Sequence, residues 1–418
     1  MPLYTLLERL IQTGRLTVID AAGTRRSFGP GAAPVVTIRL HTRQVERQLL
    51  LNPGLQLGEA YMEGTLTIEE GSLSELVHLC TFNIEALALH PLQRLRNGLD
   101  RLGKWLQQYN PAPRARANVA HHYDLSGALY EMFLESDRQY SCAYFPTGRE
   151  TLEEAQHNKK LHIAAKLLLE PRMKVLDIGC GWGGLGLFLA RSAHVEVTGV
   201  TLSEEQLKVA RERASAARLG GRVQFHLRDY RHESGLYDRI VSVGMFEHVG
   251  VTHYGEFFGK LRSLLKSDGV AVLHSIGRMA GPGTTNPWIR KYIFPGGYSP
   301  ALSEVLPAVE RAGLWVTDIE ILRLHYADTL REWSRRFAQH RDRVRALYDE
   351  RFCRMWEFYL AVSESAFRNQ DQMVFQLQLA RRKDAVPRTR DYINDWERQH
   401  APDGTLAPSE RERRQRAV

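Results

Sequence analysis

The 418-residue chain is 43% apolar and 25% charged, the balance of an ordinary folded protein, which excludes disorder for most of its length and suits about two or three domains. Its formal net charge of +8 admits an anionic partner, nucleic acid or a membrane surface, without choosing between them. Four scattered cysteines, Cys80, Cys142, Cys180 and Cys353, form no C-x-x-C pair and have no neighbouring His pattern, which argues against a metal site or a disulfide framework and fits a reducing cytoplasm.

Leu3, Leu6, Leu7, Leu10 and Ile11 recur at helical spacing, so the chain opens on a short amphipathic helix. Glu8 and Arg9 lie inside that pattern and no small-residue cleavage site follows, so a signal peptide is not expected. Strand-like runs follow at 16–20 and 35–40, then the apolar Leu49 to Leu51 ahead of Asn52-Pro53-Gly54. Residues 72–89 read as a helix, with Ser72 and Glu75 spaced for a capping box. These elements predict a small α+β domain over residues 1–90 that carries no catalytic constellation. Residues 91–118, rich in Arg, Lys and Gln and ending in Pro111-Ala-Pro113, read as a basic helix and linker. The plain reading is a solvated connector; its cations with Trp105 and Tyr109 would also suit anionic lipid head groups. No uninterrupted apolar run is long enough to cross a bilayer, so any membrane contact is expected to be peripheral.

From residue 119 the texture changes. HHYDLS at 121–126 precedes an apolar helix, and RQYSCAYF at 138–145 gathers aromatics and a cysteine before a helix at 151–169. VLDIGCGWGG at 175–184 then reads as an apolar strand ending in an acid, a glycine turn and a helix. Gly179, Gly181 and Gly184 formally satisfy G-x-G-x-x-G, so a dinucleotide is the first competitor for this loop. Two neighbours favour S-adenosylmethionine (SAM) instead. Asp177 stands where a carboxylate meets the ammonium of a bound amino acid, and Thr201 stands where an NAD site wants an acid for the ribose.

Helices and strands alternate onward to residue 275, which predicts a parallel, doubly wound sheet of Rossmann-like type with ligands at the carboxyl ends of its strands. Asp177, Thr201, Asp229, Glu247 and His274 fall at those ends. KYIFPGGYSP at 291–300 interrupts the alternation as an insertion or lid would. Segments 328–339 and 341–367 make long amphipathic helices whose aromatic stripes read as core, or as a helical cover over a lipid pocket. The catalytic domain is expected to span 119–380, and residues 381–418 are expected to form a partly disordered basic tail.

YSCAYF at 140–145, LDIGCGWGG at 176–184, VTLSEEQ at 200–206, RDY at 228–230, MFEHVG at 245–250, HSIG at 274–277, KYIFPGG at 291–297 and HYADTL at 325–330 together resemble the cyclopropane-fatty-acid synthases, over roughly residues 115–380. The resemblance implies a SAM site formed by Tyr140, Ser141, Gly179, Gly181, Thr201, Leu202, Gln206, Asp229 and Tyr230, to which Asp177 is added from the reading above. It also implies a bicarbonate ion held by Cys142, Glu247, His274, the backbone of Ile276 and Tyr326.

The implied reaction moves a methylene group from SAM to a cis double bond in an acyl chain of a membrane phospholipid, through a carbocation that loses a proton to close the ring. An anion beside that cation lowers the barrier, and aromatic faces shield it from water. An ionised Glu247 would repel an anion, so Glu247 is expected to be protonated or to act through His274 or Tyr326. A methyl- or methylene-branched product shares the same cation and stays open. A methyltransferase of a soluble small molecule is the runner-up, and a lipid-binding protein without turnover is the non-enzyme alternative. Nucleic acid is not an expected partner, a homodimer stays open, and the expected location is cytoplasmic, at the inner face of the membrane.

Overall fold

The computed structural model describes residues 2–31, 33–83 and 127–400. The first part is a small α+β unit. Helix α1 (Pro2–Leu10) precedes strands β1 (Arg15–Ile19), β2 (Arg25–Phe28) and β3 (Val35–Leu40), then helices α2 (Arg43–Leu51) and α3 (Pro53–Met62), strand β4 (Leu66–Glu70) and helix α4 (Leu73–Phe82). The strands make one sheet in the order β2-β1-β3-β4. Its apolar face, with Leu16, Val18, Val36, Ile38 and Leu66, buries against Tyr4, Ile11, Val45, Leu76 and Leu79 of the helices. Ser72 caps α4 by accepting a hydrogen bond from the Glu75 amide. Strands β2 and β4 are too short and polar to stand out in the sequence. Residues 84–126 and 401–418 lie outside the described residues, and with them the expected basic helix and linker and the HHYDLS motif.

The larger part begins with helix α5 (Gly127–Phe133) and the long helix α6 (Leu152–Leu167), the latter closed at its start by a Thr151–Glu154 capping box. Next come β5 (Lys174–Ile178), α7 (Gly184–Ser192), β6 (Glu196–Thr201), α8 (Glu204–Ala216), β7 (Val223–Leu227) and β8 (Tyr237–Val243). They are followed by α9 (Tyr254–Leu264), β9 (Leu265–Arg278), α10 (Pro287–Tyr292), α11 (Leu302–Arg311) and β10 (Trp315–Leu322). The order ends with α12 (His325–Gln339), α13 (Arg341–Leu347), α14 (Glu350–Asn369), β11 (Gln372–Ala380) and α15 (Asp391–His400).

Seven strands form a sheet in the order β10-β11-β9-β8-β5-β6-β7. The doubly wound sheet is as expected for the five strands β5 to β9, which run parallel, but not for the two that complete it. β11 lies antiparallel to β9 and β10 antiparallel to β11, so the sheet is mixed. The chain winds outward from β5 through β6 and β7, then returns to β8 and β9 on the other side. The reversal opens a crevice at the carboxyl end of β5.

One further expectation is corrected. The segment 341–367 is two helices rather than one, because Tyr348 leaves helical geometry and Asp349 caps a new start by accepting from the Phe352 amide at 2.6 Å. Within the tail beyond 380, residues 391–400 form α15, which buries Ile393 and packs on α6.

The N-terminal unit is joined to the larger part through α14 and α10. Thr81 and Ser365 share a hydrogen bond at 3.0 Å, Tyr61 donates to Glu357 at 3.1 Å, and Lys291 reaches Glu59 at 2.5 Å. Helices α5, α12 and α14 cover the sheet end with an aromatic cluster, in which Phe133, Tyr140, Tyr326, Trp333, Trp356 and Tyr359 are mutually packed.

Candidate active site

Two cavities lie side by side over the carboxyl ends of the parallel strands. The first is lined by all ten residues expected to hold SAM: Tyr140, Ser141, Asp177, Gly179, Gly181, Thr201, Leu202, Gln206, Asp229 and Tyr230. The second, smaller one is lined by all five expected around bicarbonate: Cys142, Glu247, His274, Ile276 and Tyr326. Tyr140, Ser141, Gly244 and His248 border both. Two sets of residues far apart in sequence are therefore brought to one divided chamber.

The first cavity is built on the turn after β5. Gly179 and Gly181 both have positive φ, +83° and +52°, which an L side chain rarely adopts. A Cβ at Gly179 would strike Met245 at 2.9 Å, whereas one at Gly181 would project into open space that a ligand can occupy. Asp177, at the end of β5, is almost wholly buried, and its Oδ2 has no hydrogen-bond partner. Burial lifts its carboxyl to about pH 7, with the nearby charge of Lys159 opposing the rise. An unpaired buried carboxylate beside an open glycine turn suits a ligand ammonium better than it suits the apo protein.

At the end of β6, the Thr201 hydroxyl donates to Gln206 Oε1 at 3.0 Å and accepts from the Ser203 amide at 3.2 Å. Ser203 in turn caps α8, so this turn is fixed before any ligand arrives. Asp229 is less available than its position suggests: its two oxygens are taken by the Arg231 guanidinium at 2.9 and 2.6 Å. Those bonds hold its carboxyl below the usual range although burial pushes the other way.

Burial in the second cavity favours the neutral forms of Glu247, His274 and Cys142. Glu247 sits in a short 3-10 turn after β8, where its Oε1 accepts from the Ile276 amide at 2.7 Å and its Oε2 has no partner. Burial raises its carboxyl to about 7. Ile276 thus spends its N–H on Glu247. His274, buried on β9, is held well below its usual range by burial and by the charges of Lys159 and Lys166. Gln376 of β11 donates its amide to His274 Nδ1 at 3.1 Å, so the neutral ring carries its proton on Nε2. Burial also raises the Cys142 thiol, which stays protonated and donates to the Ala143 carbonyl at 3.2 Å. The cavity is otherwise walled by Ile289, Phe294, Tyr298 and Val374.

Several residues to which the sequence reading gave no site role support this chamber from outside its lining. Gln376 orients His274 from a strand that was not anticipated. Tyr359 on α14 bonds the hydroxyl of Tyr140 at 2.9 Å. Behind the wall shared by the cavities, Gln156 and Lys159 of α6 are 1% and 0% exposed. The sequence carried little signal for this pair, because the same helix also buries Asn158, Lys160, His162 and Lys166. Among the described residues there is no cluster of His, Cys, Asp or Glu able to hold a metal, and no helix long and apolar enough to cross a membrane.

The comparisons with known proteins agree with this geometry. Residues 111–377 match the family described as mycolic acid cyclopropane synthetase, and residues 4–88 match a family described as a domain of unknown function. The chain is 38% identical over 348 residues to a probable fatty acid methyltransferase of Pseudomonas putida, covering 81% of this chain and 86% of that one. It is 37% identical over 353 residues to the cyclopropane-fatty-acyl-phospholipid synthase of Escherichia coli K12, covering 84% and 89%. Among solved structures, mycolic acid cyclopropane synthase CmaA1 complexed with SAH and CTAB superposes with a TM-score of 0.61 at 32% identity, over 65% of this chain and 98% of that one. A SAM-shaped crevice on a methyltransferase sheet and a family match over most of the length lead to one conclusion: the chain belongs to the mycolic acid cyclopropane synthetase family and is a SAM-dependent methyltransferase.

Proposed function

We propose that the enzyme adds a methylene group from SAM across a cis double bond of an unsaturated acyl chain in a membrane phospholipid, forming a cyclopropane ring. The observation that carries this reading is the divided chamber: a cavity with an unpaired buried carboxylate meets an aromatic-lined cavity of buried hydrogen-bonding groups at Tyr140 and Ser141. The Escherichia coli relative bears the name of this activity, and the two proteins align over most of both chains.

When bound, SAM supplies an electrophilic methyl group. Asp177 pairs with its ammonium, the Gly179–Gly181 turn admits the amino-acid portion, and Thr201 and Gln206 offer their polar groups to the ribose. Tyr140, Ser141, Leu202, Asp229 and Tyr230 complete that wall. The acyl chain enters the second cavity, where its alkene uses its π pair to bond the methyl carbon as the carbon–sulfur bond breaks. The chain is left as a carbocation. Tyr326, Phe294 and Tyr298 present faces or edges that exclude water without offering a nucleophile of comparable strength. A proton then leaves the new methyl group and the ring closes.

The neutral donors of the second cavity fit a small anion. When bound, bicarbonate supplies the base for that proton. His274 through Nε2–H, Tyr326 and a protonated Glu247 would hold it, Cys142 would join them by turning its S–H away from the Ala143 carbonyl, and the Ile276 amide acts one step back by fixing Glu247. A protonated Glu247 removes the repulsion that an ionised carboxylate would exert.

The test is to incubate purified protein with SAM and vesicles of unsaturated phospholipid, then analyse the released fatty esters by mass spectrometry and NMR. A gain of one CH2 with ring protons is expected. The same mass gain with a branched alkene would move the reading to the branching reaction. Turnover of SAM only with a soluble acceptor would overturn it.

A further inference from the structure

Helix α6 carries a buried polar pair that the reaction as described leaves unused. Gln156 Nε2 donates to the carbonyl oxygens of Gln139 and Ser141 at 3.0 and 2.9 Å. One turn further along the same face, Lys159 Nζ donates to Gln139 Oε1 and to Ser141 Oγ, both at 2.8 Å. These four bonds hold the backbone and side chains of residues 139 and 141, which flank Tyr140 and precede Cys142. That short segment is the partition between the two cavities.

Lys159 differs from the other buried lysines of α6. Lys166 reaches Glu320 and Asp318, and Lys160 reaches Asp137. Lys159 has no carboxylate in ion-pair contact among the described residues, and its two hydrogen-bond partners are neutral oxygens. A wholly buried ammonium with neutral partners is costly and persists where something else offsets its charge. Its field acts on Asp177 in the first cavity and on Cys142 and His274 in the second.

We infer that Lys159 is a positioning residue for the anion: with Gln156 it fixes the 139–142 partition, and its ammonium supplies the positive field that retains a small carboxylate-like anion in the second cavity. This rests on the proposal above that the second cavity holds bicarbonate. Lys159 lies behind Ser141 and acts through the wall, by Coulomb attraction in a medium with little water to screen it. The other charged or titratable groups around it are Glu135, Asp137, Lys160, Asp177, Cys142 and His274. Burial brings the lysine itself to about 7, so an incoming anion would also favour its charged form.

The test separates charge from hydrogen bonding. Lys159→Gln keeps a donor for Ser141 and Gln139 but removes the charge; Lys159→Arg keeps the charge. Binding of 13C-bicarbonate is followed by NMR, and binding of S-adenosylhomocysteine (SAH) by calorimetry. The expectation for Lys159→Gln is bicarbonate affinity weakened by about tenfold or more, with recovery of most of the loss in Lys159→Arg. The KM for bicarbonate should rise in parallel, while SAH affinity, which the same charge reaches through Asp177, is compared above pH 8, where Asp177 is ionised in both proteins. Bicarbonate binding by Lys159→Gln equal to wild type would overturn the inference. Should that variant lose its near-UV circular dichroism, the wild-type enzyme carries the test: nitrate should displace labelled bicarbonate and the neutral isostere urea should not, and equal displacement would overturn it. Absence of any bicarbonate binding to the wild-type enzyme would overturn the anion reading itself, a result distinct from failure of the lysine's role.

Discussion

Two carboxyl groups, one in each cavity, are lifted by burial to about pH 7, and the two should respond to ligand and pH in opposite ways. Asp177 must be ionised to pair with an ammonium, so below pH 7 ligand binding has to expel a proton. SAH affinity is expected to rise by up to about tenfold per pH unit from 6 to 7 and to flatten above 8. In Asp177→Asn the affinity should fall by about 10–100-fold and the slope should vanish; calorimetry at three pH values decides, and an unchanged slope would assign the proton elsewhere. Glu247 is instead expected to stay neutral. Its folded value lies above the ordinary carboxylate value, so the native state holds a proton that the unfolded chain gives up between about pH 4.5 and 7. Relative to Glu247→Gln, the wild type should therefore lose about 1–3 kcal/mol of stability as pH rises through that window and lose no more above it. Urea denaturation of both proteins at pH 5, 6, 7 and 8 measures the difference.

Helix α15 is held on the catalytic part by a buried ionic cluster rather than by apolar area alone. His162 of α6 bonds Glu397 of α15 through Nδ1 at 2.6 Å and Glu320 of β10 through Nε2 at 2.7 Å, while Lys166 and Arg390 also reach Glu320. The two carboxylates raise the imidazole above its ordinary value despite its burial, and the surrounding cations hold Glu320 well below the carboxylate range. A raised histidine stabilises fully below its unfolded value near 6.5 and loses that contribution as pH rises through its folded value; a depressed glutamate does the reverse at acid pH. His162→Gln should thus cost more stability at pH 6 than at pH 9, by about 1–2 kcal/mol. A larger deficit at pH 9, read from denaturant midpoints at the two pH values, would contradict the assignment. Such elements explain where the sequence was legible. β5 and the glycine turn were legible because a buried parallel strand is a continuous apolar run that ends in glycine; Asp177, Thr201, Asp229, Glu247 and His274 followed from their places at strand ends, whereas Tyr140, Cys142, Gln206 and Tyr326 came from the family resemblance alone. Strand β11, QMVFQLQLA, was not recognised: Gln376 and Gln378 break the apolar run, and their partners, His274, the Lys166 carbonyl and Tyr392, are distant in sequence. The same reason hid Gln156 and Lys159 in α6, whose inward-facing polar groups find their partners only after folding.

At the scale of the molecule, the N-terminal unit braces one wall of the second cavity from outside and, among the described residues, contributes no lining residue to either cavity. The link is close. A Cβ on Gly58 of α3 would approach Trp288 Nε1 at 2.4 Å and Phe358 Cε1 at 2.7 Å, so only glycine lets α3 lie against the buried indole. Glu59, next to it, accepts from Lys291 at 2.5 Å and from Tyr292 at 2.8 Å. Trp288, Lys291 and Tyr292 belong to α10, and Ile289 of that helix together with Phe294, Gly297 and Tyr298 just beyond it line the cavity assigned to the acyl chain. Displacing α3 should therefore disturb acceptor binding while leaving the methyl-donor site intact. Gly58→Val is expected to lower kcat/KM for phospholipid vesicles by about tenfold, a loss of about 1.4 kcal/mol, with SAH affinity held within about twofold. Vesicle turnover and SAH calorimetry on the same preparation distinguish the outcomes. An equal fall in both would mean that the N-terminal unit supports the whole catalytic domain rather than its acyl-chain wall, and no change in either would mean that α10 keeps its place without α3.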